Sequence, residues 1–284
     1  MAWLFLSTLL FTFNNVLWKK FLPVSFTFKL VFIRAVYSSL LLLLLYRFMD
    51  GNFFRELSTP GFYIILISCV LGAMGLFALV SYLKNGRLYN LGYYNMAGTA
   101  LAGLYTFFFV KEKLQGFFFM PAMLLLAIGY LFFIHIKNNQ KKEGEKSIND
   151  HLLLWIMVFS FTGAMITQSM ALNHFSFVTL AFTQELVILI MAGLASIVLY
   201  KKDSIKNITI LSWQPILMAV IIVAAVLTSL AGLKITSPLA SAVFGLLVPL
   251  FTFFGGVFFF KEKAVLQHYV AMVLMLGGCL MMLL

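Results

Sequence analysis

Lys261-Glu262-Lys263 decides the fold, because Lys111-Glu112-Lys113 precedes it by 150 residues (261 − 111). Leu83-Lys84 returns as Leu233-Lys234 at the same displacement, and the copies align between these anchors without a gap. Each copy runs from a charged or polar start through a long apolar helix of small and aromatic residues, then Lys-Glu-Lys and another apolar helix. A period close to half the chain marks a duplication. In a sequence this apolar, a duplicated membrane unit points to transport.

Composition supports the membrane reading. Hydrophobic residues make up 63% of the chain and charged residues 10%, against about a quarter charged in a soluble domain. The apolar excess is spread throughout, and the longest polar stretch, Lys137 to Asp150, is too short to fold alone. The net charge of +11 lies in short connections between apolar runs. That is the positive-inside bias of membrane loops, and no basic face or reader motif calls for nucleic acid. The first run, Ala2 to Trp18, has neither a basic n-region nor a cleavage site, so it reads as a retained span whose Trp18-Lys19-Lys20 end is an interfacial anchor. Cys69 and Cys279 fall inside apolar runs as small buried hydrophobes.

A helical span needs roughly 20 apolar residues. Ten runs approach that length: 2–18, 27–48, 61–83, 88–110, 114–136, 152–172, 177–200, 213–233, 238–260 and 264–284. The expected fold is an all-α membrane protein of ten transmembrane helices, with a five-helix repeat over 1–136, a polar linker over 137–150 and a second repeat over 151–284. Five is odd, so the second copy enters the membrane upside down and the repeats are inverted. This arrangement allows alternating access. Thirteen Lys/Arg lie in the odd-numbered loops and five in the even ones. That charge count alone puts the termini outside the cell.

Two charges fall deep inside spans, Arg34 and Glu185, at nearly equivalent repeat positions (34 + 150 = 184). An isolated charge in hydrocarbon costs at least about 2.5–3.5 kcal/mol, so each should face the bundle interior and find a partner. Glu185 is either substrate-facing and proton-linked, or a structural charge satisfied by neighbours such as Gln184 and Ser38. Ser7, Phe11, Asn14 and Trp18 form one stripe of the first helix, with Asn15 beside it. The two Asn either bond across helices or line a wet cavity. Thr167, Gln168 and Ser169 lie at the equivalent depth of the sixth span. Tyr94 and Asn95 could hold the polar and aromatic parts of a solute, whereas tyrosines such as Tyr93 and Tyr94 near a span start are commonly interfacial belt residues. The expected solute-binding set is therefore Asn14, Asn15, Arg34, Tyr94, Asn95, Gln168 and Glu185. Glu112 and Glu262 read either as a gate or, more simply, as carboxylates serving the N-terminal dipole of the helix that follows each and pairing with flanking lysines. Gly98/Ala102 and Ser241/Gly245 read as small-residue contact pairs. His135, His151, His174 and His268 are scattered, so no metal site is expected.

The second half carries Ser237-Pro238-Leu239-Ala240-Ser241, then Val248-Pro249-Leu250, then Phe260-Lys261-Glu262-Lys263, and the second span carries Phe32-Ile33-Arg34-Ala35. This pattern resembles the EamA-like branch of the drug/metabolite transporter superfamily. Members of that branch are ten-span inverted repeats that close the fourth and ninth spans with a Pro and a terminal Glu. Thr99 stands where the first repeat would carry that proline (249 − 150). The resemblance implies secondary transport of a small metabolite without ATP or other cofactor, and cytoplasmic termini, opposite to the charge count.

The expected function is alternating-access transport, as an exporter of amino acids or related metabolites. A sugar, nucleotide-sugar or drug carrier is the alternative. The expected partners are a small-molecule solute and the lipid bilayer, with proton coupling through Glu185 as an open reading and either a monomer or a homodimer as the assembly. The chain is expected in the cell membrane as a multi-pass protein, the inner membrane in a Gram-negative cell. An intramembrane enzyme would need a paired-carboxylate, His-rich or Ser/His constellation at depth, and Glu185 has no such companion in the sequence. A membrane assembly protein would not require inverted repeats with polar midplanes.

Overall fold

A computed structural model describes residues 2–22, 27–48, 53–105, 116–139, 147–199, 212–236, 241, 244–245 and 247–281, and no strand occurs among them. In lipid a backbone must satisfy its own N–H and C=O groups, so apolar runs of this length become helices. They are α1 (Ala2–Phe21), α2 (Thr27–Tyr46), α3 (Phe53–Leu57), α4 (Phe62–Asn85), α5 (Leu88–Tyr105), α6 (Gly116–Asn139), α7 (Ser147–Ala171), α8 (Phe177–Leu199), α9 (Trp213–Lys234), α10 (Leu247–Phe259) and α11 (Leu266–Met281). Five stretches, in α2, α4, α7, α8 and α9, are long and apolar enough to cross a membrane, and shorter apolar stretches lie in α6, α10 and α11. Although α1 is 20 residues long, it is less apolar, because Ser7, Thr8, Thr12, Asn14 and Asn15 interrupt it.

Helix positions follow the apolar runs closely, with two differences. The short α3 sits between α2 and α4, where no element was expected. The segment read as a linker over 137–150 is helical at both ends, since α6 continues to Asn139 and α7 begins at Ser147. Residues 140–146 and the Lys111-Glu112-Lys113 motif lie outside the described residues.

The main contacts pair α4 with α7, α1 with α9, α2 with α8, α5 with α10 and α6 with α11. A second tier joins α2 to α9, α4 to α8, α1 to α10 and α5 to α7. With α3 set aside, exchanging each of the first five helices for its counterpart in α7–α11 returns this same set of pairs. The outer surface is apolar, with Leu44, Met120 and Ile197 about two-thirds exposed. A large apolar surface of this kind marks a membrane or interaction face.

Small residues set the closest approaches. A Cβ on Gly92 would lie 2.9 Å from the Pro249 carbonyl, bringing the α5 and α10 backbones together. A Cβ on Gly278 would lie 2.7 Å from the Ala122 carbonyl, closing α11 on α6. Among the described residues nothing lies within 4 Å of a Cβ built on Gly245, so no close packing contact is seen there for the Ser241/Gly245 pair. Both residues face a cavity.

Glu262 serves a different helix from the one expected. Its two carboxylate oxygens accept the backbone N–H groups of Leu88 (2.7 Å) and Tyr89 (2.9 Å), capping α5 from the far half of the chain. The carboxylate thus meets the unsatisfied amides and positive dipole end of α5 instead of α11. Beside it, the Lys19 ammonium donates to the carbonyls of Leu83 (3.2 Å) and Gly86 at the end of α4. Glu56 of α3 accepts the Ser176 N–H (3.1 Å) at the start of α8.

Candidate functional site

The helices enclose a cavity with three compartments that share wall residues. A charged lobe of about 280 Å³ is walled by Asn14, Asn15, Trp18, Arg34, Asn95 and Glu185, among others. A hydroxyl-rich lobe of about 240 Å³ is walled by Ser7, Thr8, Thr99, Thr162, Ser229 and Ser241, with Asn95 and Gln168. A side compartment of about 130 Å³ lies against Gln168 and Gln184. Phe11 and Phe161 line all three.

Along α1 the lobes follow in order. Leu4, Ser7 and Thr8 face the hydroxyl lobe, Phe11 faces both, and Asn14, Asn15 and Trp18 face the charged lobe. The whole stripe read from the sequence therefore faces the cavity. Ser7 and Thr8 donate their hydroxyl protons to the carbonyls of Leu4 (2.8 Å) and Phe5 (2.6 Å). This back-bonding removes the donor cost of a hydroxyl in an apolar helix and leaves an oxygen lone pair toward the lobe.

The charged lobe is built on an ion pair between α2 and α8. Arg34 Nη1 donates to Glu185 Oε1 at 3.1 Å, and Nη2 lies 3.0 Å from Oε2. Ser38 Oγ, one turn along α2, donates to Oε2 at 2.5 Å. Both charged residues are almost fully buried. The Nη1 hydrogen bond, the close approach of Nη2 and the extra hydroxyl are what let a buried pair offset its desolvation. The Arg34 guanidinium also lies 6.0 Å over the Trp18 ring, within cation–π range. Trp18 is fully buried, so it is not an interfacial anchor. Gln184, named with Ser38 as a neighbour for the charges, instead accepts from Gln168 Nε2 at 3.2 Å and ties α7 to α8.

Of the expected binding residues, Asn14, Asn15, Arg34, Asn95 and Glu185 converge on the charged lobe. Asn95 and Gln168 meet in the hydroxyl lobe. Tyr94 is not among the wall residues. It is fully buried, its hydroxyl is bonded to His151 Nδ1, and its ring packs edge-on to Tyr130 and Trp155. Tyr93 stacks on Phe133 with centroids 3.8 Å apart and donates to the His268 carbonyl at 2.6 Å. Neither tyrosine is a belt residue.

Two site features escaped the sequence reading. Phe161 is the repeat counterpart of Phe11 (11 + 150), and applying the known displacement to the stripe would have found it. Gly75 makes room for it, since a Cβ there would lie 2.7 Å from the Phe161 ring. No pattern in the sequence singles out Gly75.

A helical bundle with an apolar exterior and several helices long and apolar enough to cross a bilayer is the architecture of a multi-pass membrane protein. Residues 150–284 match the model of the EamA-like transporter family, the family that the sequence resembles. No curated protein matches the chain. A solved structure described as "Crystal structure of protein" superposes with a TM-score of 0.69 at 13% identity, covering 97% of this chain and 96% of the other. At that identity the likeness concerns the fold alone.

Proposed function

We propose that the protein is a secondary transporter that moves a small organic metabolite by alternating access, between two inverted five-helix repeats spanning 1–136 and 151–284. The observation that carries this reading is the pair Phe11 and Phe161. They stand at equivalent repeat positions and share the walls of two lobes at successive depths of one cavity. Rocking one half against the other would open the lobes in turn, with the aromatic pair between them.

Two further observations support inversion. The helix pairs return to the same set when the halves are exchanged. The hydroxyl lobe takes the N-terminal half of α1 but the C-terminal half of α7, up to Gln168. Counterpart helices that contribute opposite ends to one lobe run antiparallel, as inverted copies must.

Export of amino acids or related metabolites is the direction and class we favour, with cytoplasmic termini. The proposal is tested by untargeted metabolite analysis of cells lacking or overproducing the protein, with a C-terminal reporter fusion for orientation. Unchanged metabolite pools in both strains would count against transport.

A further inference from the structure

Two carboxylates fasten one half of the chain to the other, and they stand at opposite ends of the bundle. At one end, Glu262 of the second half accepts the Leu88 N–H (2.7 Å) and the Tyr89 N–H (2.9 Å) at the start of α5. At the other, Glu56 of the first half accepts the Ser176 N–H (3.1 Å) at the start of α8, and its neighbour Phe53 packs edge-on to Phe182 of α8. Helix α2 links the two ends. It starts just after α1 finishes at Phe21, and at its far end the Tyr46 hydroxyl meets that of Thr179 (3.4 Å). Its 20 residues rise about 30 Å.

Each clasp lies at the end of the cavity occupied by one lobe. Trp18 and Leu79 line the charged lobe. Trp18 precedes Lys19, which donates to the Leu83 and Gly86 carbonyls beside the Glu262 clasp, and Leu79 stands one turn before Leu83. Gln168 lines the hydroxyl lobe with Ser7, two turns before Ser176.

The Glu262 clasp is held under strain. Lys261 has φ +51°, the one positive φ of a non-glycine residue among the described residues. L side chains adopt that left-handed conformation at a cost, and such residues cluster at switch sites. The turn sends the chain back, so that the Glu262 N–H donates to the Gly256 carbonyl (3.1 Å). A Cβ on Gly256 would lie 2.5 Å from Glu262 Oε2 and 2.9 Å from the Tyr89 nitrogen. Only glycine leaves the carboxylate room there.

The duplication does not repeat this clasp. The counterpart of Leu88 is Pro238 (88 + 150), which has no N–H to donate, and that of Gly256 is Thr106 (256 − 150). Glu56 in turn has Lys206 as its counterpart (56 + 150). The two halves therefore reach across to each other by different residues.

Resting on the transport reading, we propose that Glu262 and Glu56 are the two latches of the alternating-access cycle, one for each face. Glu262 holds closed the face next to the charged lobe, and Glu56 the face next to the hydroxyl lobe. To open a face, its carboxylate leaves the helix start that it caps while the other stays engaged. Both clasps sit at bundle ends, where water takes over the released amides.

Two reporters test this, Ser7→Cys in the hydroxyl lobe and Leu79→Cys in the charged lobe, each in the full-length protein with Cys69 and Cys279 replaced by Ala. Labelling rates with a membrane-impermeant maleimide are measured in right-side-out and inside-out vesicles. Glu262→Ala should speed labelling of Leu79→Cys by about fivefold or more, the weight of a capping side chain in an equilibrium, and slow that of Ser7→Cys. Glu56→Ala should do the reverse. Gly256→Ala, which drives a methyl into the Glu262 carboxylate, should act like Glu262→Ala. Lys261→Gly relieves the strain, keeps the latch shut and should slow labelling of Leu79→Cys. If Glu262→Ala does not fold, Glu262→Gln and Lys261→Gly carry the test. A purely structural cap would lower the unfolding temperature without moving the two reporters in opposite directions.

Reporters that move together, or not at all, in the folded Glu56 and Glu262 variants would overturn the inference, as would faster labelling of Leu79→Cys in Lys261→Gly. Reporters that react from opposite faces but ignore the latch variants would uphold transport and contradict the latches. Reporters that react from one face, each answering to its nearer latch alone, would uphold the latches and contradict alternating access.

Discussion

Phe11 of α1 and Phe161 of α7 stand 150 residues apart, the displacement that separates the two Lys-Glu-Lys motifs, and both line all three compartments of the cavity. A partition built from equivalent side chains lets one closed surface serve either lobe. Phe11→Ala or Phe161→Ala should therefore merge the lobes. Downhill flux in proteoliposomes should persist or rise, while accumulation against a gradient falls. Both rings are only partly buried, so the stability loss should be about 1–2 kcal/mol, below the 3–5 kcal/mol of a core Phe→Ala change.

Gly75→Ala would put a methyl 2.7 Å from the Phe161 ring. Overpacking of that kind costs about 1–3 kcal/mol, and here the ring is pushed toward the cavity. Transport should fall although no cavity residue has been changed. Gly75→Ala paired with Phe161→Leu, which shortens the opposing side chain, should recover thermal stability in detergent.

Breaking the Arg34–Glu185 pair from one side strands a buried charge. Arg34→Gln or Glu185→Gln alone should destabilise by about 3–5 kcal/mol, and the double change should cost less than the sum of the two. Thermal unfolding of the three variants checks this. Additive losses would show that the two residues act separately. Counterflow of a solute with gradient-driven accumulation lost in Glu185→Gln would identify proton exchange at this carboxylate.

Glu262→Ala removes the acceptor of two backbone N–H groups at the start of α5. The expected loss is about 1–2 kcal/mol, the range of an N-cap deletion. Glu262→Gln keeps one acceptor oxygen and should lose less. Equal unfolding temperatures for wild type and Glu262→Ala would show that the cap contributes nothing.

Much of this molecule was legible in the chain because lipid leaves few choices. Runs such as 213–233 carry no charge, so in lipid helix was the only way to satisfy their backbone, and α9 runs from Trp213 to Lys234. The buried charges were legible for the same reason: Arg34 and Glu185 could not face lipid, and each is the other's partner. Contacts between halves were not legible. Glu262 looks local to α11 by position, yet it caps α5, because the amides it meets arrive from a segment 174 residues earlier (262 − 88). Tyr94 and Trp18 resemble interfacial residues in type and place, and only tertiary contacts reveal that both are buried.

The central claim is that the lobes open to opposite sides of the membrane. Ser7 lines the hydroxyl lobe and Leu79 the charged lobe. In a background with Cys69 and Cys279 replaced by Ala, Ser7→Cys and Leu79→Cys are labelled with a membrane-impermeant maleimide in right-side-out and inside-out vesicles. The two positions should react from opposite faces, and a transported solute should raise the labelling of one as it lowers that of the other. Reaction of both positions from the same face would contradict the account.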